Sequence, residues 1–172
     1  MTRNEENNNY DLSQLIIKPL YFGLVVNILI PAAGLLICHY IDSNYGRDNV
    51  IGDLANPLFY IFVALALLQA VFALWWRAKR LRRPMVRTEE TFEQEMVTGL
   101  MRACRPVFVV IAALSAYGYL YFFLTGRFTE TVVFIFFSFI VFQLVRPRHG
   151  FARKLIARQK KLLEQGMLAD RG

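Results

Sequence analysis

Charged residues are almost absent from four long stretches of this sequence, which run over about 20–41, 58–76, 106–124 and 128–145. The only Asp, Glu, Lys or Arg inside them is Glu130, near the start of the fourth stretch. Each stretch has roughly 18–22 residues, the length with which an α-helix crosses about 30 Å of hydrocarbon. Core helices of soluble domains are usually amphipathic, so the missing charge speaks against a soluble protein.

The same stretches lack the alternation of apolar and polar residues that is typical of membrane β-strands. The chain is 56% hydrophobic, with a mean hydropathy of +0.36. Because helices are the remaining way to satisfy the backbone in lipid, we predict an all-α integral membrane bundle of four transmembrane helices. We expect a partly disordered N-terminal tail over 1–18, a four-span membrane domain over 19–146 and an amphipathic C-terminal tail over 147–172.

Residues that build metal and redox centres are scarce, since the chain has two cysteines and two histidines. Cys38 and His39 lie at one end of the first predicted span, whereas Cys104 and His149 lie at the opposite face of the membrane. The cysteines are then too far apart for a disulfide, which needs Cα atoms within about 7 Å, and the four residues cannot surround one metal ion. The sequence predicts neither a metal site nor a cofactor site.

Motifs of common catalytic centres are missing as well. The chain has no phosphate-binding Gly loop, no His-Glu-x-x-His and no Gly-x-Ser-x-Gly. The stretch with Asp42, Asp48 and Asp53 resembles a calcium loop only superficially, because the glutamate that closes such loops is missing. We therefore expect that the protein is not an enzyme.

Lysine and arginine are distributed unevenly around the four predicted spans. Most lie in 77–87, after the second span, and in 146–161, after the fourth, whereas the other two connections carry few. The positive-inside rule then places both termini and the middle connection in the cytoplasm. Trp75 and Trp76 fit an interfacial aromatic belt at the same face. The absence of an N-glycosylation sequon favours a bacterial inner membrane.

Two helical elements are expected outside the membrane on the basic side. The second and third spans extend as a cytoplasmic helical hairpin, with Pro84 ending its first arm and Pro106 beginning the third span. A basic amphipathic helix over 151–165 follows the fourth span, and we expect its apolar face in the headgroup region, with partner-helix binding as the competing use. Anionic lipid headgroups, or a partner, rather than nucleic acid, are the expected contacts of the basic residues; they are Arg77, Lys79, Arg80, Arg82, Arg83, Arg153, Lys154, Lys160 and Lys161.

A few polar residues interrupt the spans, and they invite two interpretations. Asn27, Gln69, Ser115 and Gln143 are candidates for hydrogen bonds between helices, with Gln69 as a possible partner for Asn27. Pro31 cannot donate to the Asn27 carbonyl, so a kink is expected there. The alternative to such structural contacts is a polar pathway for a neutral solute, since ion-coupled carriers need ionisable groups within the membrane.

Two functions remain open on this basis. The first is a non-enzymatic accessory, assembly or anchoring subunit of a larger membrane complex, acting with a protein partner or as a homo-oligomer. The second is a small oligomeric transporter or channel for a neutral solute. A membrane enzyme ranks third, because nothing in the sequence would activate the available carboxylates.

Overall fold

The computed structural model describes residues 12–46, 49–88 and 90–166, with side chains from Leu15 onward. Its elements are α1 (Leu12–Leu24), a π turn (Val25–Leu29), α2 (Ile30–Tyr45), a 3-10 turn (Gly52–Leu54), α3 (Ala55–Leu81), α4 (Phe92–Thr125), α5 (Phe128–Val145) and α6 (His149–Glu164). Within these ranges the chain forms helices and connections but no strand, which confirms the all-α prediction.

Four helical segments are long and apolar enough to cross a membrane, as the sequence predicts. They are Leu15–Tyr45, Gly52–Leu81, Phe92–Thr125 and Phe128–Val145. The first and second leave many large apolar side chains exposed; Leu68, for example, is 68% exposed. A surface of this kind is rare on soluble monomers and is suited to contact with lipid tails.

Helix α4 lies at the centre of the bundle. It contacts α1, α2, α3 and α5, and its side chains Phe108, Tyr121 and Phe122 are fully buried. At 34 residues it is about 51 Å long, so it exceeds a bilayer's hydrocarbon core by about 20 Å. The surplus is the N-terminal part, 92–105, which carries two acidic residues, Glu93 and Glu95, and both arginines of the helix.

Pro106 lies inside α4 rather than at the start of a new helix, in contrast to the sequence-based expectation. A proline at this position leaves the Arg102 carbonyl without its usual helical donor. Nη1 of Arg80, on α3, donates to that carbonyl at 3.4 Å. Helix α3 therefore supplies the donor that Pro106 lacks, and α4 continues through the proline.

The hairpin between α4 and α5 depends on two glycines. Gly126 follows α4 with a φ of 69°, a left-handed conformation that favours glycine, and its N–H donates to the Phe122 carbonyl. Gly118 allows close packing of the two helices, because a Cβ there would lie 3.0 Å from the Thr131 carbonyl and 3.0 Å from Cβ of Phe134. Small residues are the usual means of bringing membrane helices this close.

The expected N-terminal tail differs from the structure in part. Residues 1–11 lie outside the described residues, but the chain is α-helical from Leu12. Leu15 and Ile16 are buried, and α1 packs against α4 and α6. Apolar burial of two large side chains explains why the helix begins ahead of the predicted span.

Candidate functional site: the basic end of the bundle

The basic residues of α3, α4 and α6 gather at one end of the bundle. We call this region the basic end and define it as 77–88, 90–105 and α6. Arg80 contacts Arg102, and the guanidinium of Arg77 lies 4.7 Å from the ring centroid of Phe151 on α6. These contacts bring three separate parts of the sequence onto a single surface.

Helix α6 packs its apolar side on the protein. Ala152, Leu155 and Gln159 are buried, at a spacing of three and four residues that places them along one side of the helix. Phe151, Ile156 and Leu163 are partly buried against the same core. The side expected to lie in the headgroup region is therefore occupied by protein contacts, because α1 and the connection after α3 lie against it.

Gln159 holds α6 to the connection between α3 and α4. Its Nε2 donates to the Arg83 carbonyl at 3.0 Å, and its Oε1 accepts from the Met85 N–H at 2.9 Å. The side chain is 1% exposed, and both ends of its amide are satisfied. Sequence reasoning missed this contact. The available signal was a polar residue at a position where the helical period calls for an apolar one, seven residues after Ala152.

Aromatic rings hold several of the predicted basic contact residues. Arg80 lies over Trp76 at 4.7 Å and Lys79 over Trp75 at 5.1 Å. Cation–π contacts of this kind contribute about 0.5–1 kcal/mol at exposed sites. Of the nine predicted residues, Arg77, Arg80 and Lys160 are partly buried, and the exposed ones are Lys79, Arg82, Arg83, Arg153, Lys154 and Lys161.

Gln69 connects α3 to α4 through both ends of its amide. Its Nε2 donates to the Val110 carbonyl at 2.6 Å, and its Oε1 accepts from the Tyr117 hydroxyl at 2.8 Å. Tyr117 also packs against Phe62, with ring centroids 5.5 Å apart. Gln69 is thus fully paired without Asn27, which lies on the other flank of α4.

Asn27 lies in the π turn, where its amide bonds within its own helix. Its Nδ2 donates to the Gly23 carbonyl at 3.1 Å, while its Oδ1 is buried without a hydrogen-bond partner. The Ile30 N–H bonds to Val25, five residues earlier, in the turn just before Pro31. The structure therefore shows a π turn at the position where the sequence predicts a proline kink, and it gives Asn27 no bond to Gln69.

The two remaining predicted polar residues also bond locally. The Ser115 hydroxyl donates to the Ala112 carbonyl at 2.6 Å within α4. Gln143 contributes its backbone carbonyl, which accepts from Nη2 of Arg148 at 3.4 Å.

Besides Gln69, three hydroxyl groups that the sequence analysis did not select as interhelical contacts make hydrogen bonds between helices. Ser138 and Thr131, on α5, donate to the Ile111 and Gly118 carbonyls of α4, each at 3.0 Å. The Tyr119 hydroxyl donates to the Pro31 carbonyl at 2.7 Å. Serine and threonine in α5 were a usable signal, since hydroxyls commonly bond across membrane helices.

The described residues contain no group of three His, Cys, Asp or Glu side chains that could hold a metal ion. Cys38 and Cys104 are both buried, and neither takes part in a disulfide. Of the three aspartates in the stretch that superficially resembles a calcium loop, Asp42, Asp48 and Asp53, the second lies outside the described residues.

Comparison with known protein families, curated proteins and solved structures found no match for this chain.

Proposed function

We propose that the chain is a non-enzymatic accessory, assembly or anchoring subunit of a larger membrane complex. The observation that supports this function best is the basic end itself. Helix α6 and the N-terminal part of α4 lie outside the predicted spans, yet Gln159 and the burial of Leu155 hold α6 in a defined position. A fixed basic surface beside a membrane suits docking to an acidic surface of another protein, since electrostatic complementarity gives specificity.

The basic end faces the cytoplasm in this proposal, and the membrane is a bacterial inner membrane. The supporting argument is the positive-inside rule, because the described residues of the opposite end include few lysines or arginines. A reporter fused after Gly172 should read cytoplasmic. A reporter signal from the opposite side of the membrane would reverse the orientation of the chain and place the docking surface on that side.

Affinity purification in mild detergent, at the native expression level, tests the partnership. We expect other proteins to copurify in fixed ratio with the wild-type chain. Replacement of the exposed Arg153, Lys154 and Arg158 by glutamine should reduce their recovery, whereas Arg127→Gln at the opposite end should not. Recovery of the chain alone from its native membrane would contradict the proposal.

A transporter or channel for a neutral solute is the alternative, and the unpaired Oδ1 of Asn27 favours it. A buried acceptor without a donor is costly unless a ligand or water satisfies it. Asn27→Leu should then abolish flux of small neutral solutes in vesicles without lowering the melting temperature. Gln69→Leu is the matched control, because Gln69 is already paired at both ends. If the wild-type chain shows no flux and the two variants lose stability equally, Asn27 has only a structural role.

A further inference from the structure

One long side of α4 remains uncovered along the whole predicted span. Phe108 and Tyr119 face the N-terminal helices, Val110 and Tyr117 face α3, and Gly118 faces α5, as their ring contacts and hydrogen bonds show. The fourth side, which we call the open face, consists of exposed residues at helical spacing; they are Arg102, Arg105, Val109, Ala113, Ala116 and Leu120.

The open face changes character along its length. Arg102 and Arg105 lie at the basic end, and apolar residues follow, with small side chains at Ala113 and Ala116. Eleven residues separate Arg105 from Ala116, a rise of about 16 Å, which is roughly half the hydrocarbon thickness of a bilayer. The open face therefore has two arginines at the headgroup level and, beyond them, an apolar strip about one leaflet deep. We call this strip, formed by Val109, Ala113 and Ala116, the track.

Aromatic rings of the neighbouring helices contact Arg105 and a third arginine beside the open face, Arg80 of α3. The guanidinium of Arg105 lies 5.6 Å from the ring centroid of Phe22, on α1. Arg80 lies over Trp76 and donates to the Arg102 carbonyl, on the α3 side. Among the described residues, none of these three arginines pairs with a carboxylate. Arg102 and Arg105 are three residues apart on α4, and Arg80 reaches the Arg102 carbonyl, so three positive charges without counter-ions lie near one another and favour an anionic occupant. The ring contacts of Arg80 and Arg105 lower the entropy cost of binding it.

We propose that the open face binds an anionic phospholipid, with its phosphate on Arg80, Arg102 and Arg105 and an acyl chain along Val109, Ala113 and Ala116. A second copy of this chain fits less well, because a two-fold contact through this face would bring the two arginine clusters together. This inference rests on the membrane location within the proposed function and is independent of any protein partner.

Native mass spectrometry of the purified chain tests the site. The chain is reconstituted in vesicles of phosphatidylglycerol and phosphatidylcholine at equal amounts and then extracted in mild detergent. We expect retention of phosphatidylglycerol over phosphatidylcholine. The Arg102→Gln/Arg105→Gln variant should lose about 30-fold of this retention, which is what two basic contacts with anionic lipid imply.

Matched variants keep the result interpretable. Arg153→Gln/Arg158→Gln makes the same change of charge on α6 and should leave retention unchanged. Ala113→Leu/Ala116→Leu keeps every charge but fills the track, and should reduce retention with the melting temperature preserved. Equal retention of the two lipids by the wild type, or an equal loss in the α6 control, would overturn the inference.

Photo-crosslinking separates a lipid from a protein on this face. A photo-crosslinking residue in place of Ala113 should form a lipid adduct in native membranes, and a protein adduct instead would overturn the proposal. Failure of the lipid experiments would leave the copurification experiment untouched, so the two proposals can fail separately.

Discussion

Gln159→Met should weaken the attachment of α6 to the rest of the basic end without unfolding the membrane helices. Methionine keeps the length and the unbranched stem of glutamine and is a good helix former, so the change removes the amide with little effect on shape. In the wild type this amide joins α6 to the Arg83 carbonyl and the Met85 N–H. Loss of both bonds leaves α6 held by apolar contacts and by the contact of Arg77 with the Phe151 ring.

The expected loss in the free energy of docking α6 is the sum of the changes at three groups. The Met85 N–H loses its acceptor in a half-buried position, at a cost of about 1–3 kcal/mol. Arg83 is exposed, so its carbonyl regains water and costs roughly 1 kcal/mol or less. The buried thioether offsets about 1 kcal/mol by its apolar burial. The net destabilisation of the docked helix is therefore about 2 kcal/mol.

Hydrogen exchange measured by mass spectrometry in nanodiscs gives the readout. A loss of about 2 kcal/mol in the free energy of local opening should speed exchange of α6 amides about 30-fold, while α4 and α5 stay protected. Gln165→Met is the matched control, since Gln165 is exposed at the end of α6. Unchanged α6 exchange in Gln159→Met, or equal acceleration in the control, would refute the assignment of Gln159 as the residue that holds the helix.

Two further predictions concern contacts between the membrane helices. Gly118→Ala should lower the free energy of unfolding by about 1–3 kcal/mol, because the new Cβ would meet the backbone of Thr131, which cannot move aside. Gly150→Ala is the control and should not lower it, since a Cβ there has nothing within 4 Å. Similar melting temperatures for the two variants would contradict this account. Gln69→Leu and Tyr117→Phe should show a coupling of about 0.6–1 kcal/mol in a double-mutant cycle of unfolding in detergent, and purely additive effects would mean that their 2.8 Å contact contributes nothing.

Stretches with a simple physical requirement were predictable from the sequence. An apolar run of about 20 residues must be helical in lipid, whatever its neighbours are, so the four long apolar helices follow from composition alone. Periodicity likewise predicts α6, because its apolar residues recur at helical spacing. The continuous helix through Pro106 could not be predicted in this way, since it coincides with a donor that Arg80 supplies from α3.

Pairing of polar groups was the least predictable property of the chain. Asn27 and Gln69 look alike in the sequence, as single amides within apolar runs. In the structure both ends of the Gln69 amide are hydrogen-bonded. Asn27 lies on the opposite flank of α4, and its Oδ1 has no hydrogen-bond partner. The difference depends on which helices flank α4 and at what rotation, and the spans are too uniformly apolar to specify that rotation by pattern.

The sequence by itself therefore determined the four long apolar helical segments and the concentration of positive charge beside two of their ends. These properties depend on local composition and on the cost of leaving backbone groups unpaired in lipid. Only the tertiary structure decided that α6 lies on the protein, that Gln159 holds it there and that one side of α4 stays open. Those properties arise from contacts between residues distant in the chain, such as Gln159 and Arg83, which no local pattern encodes.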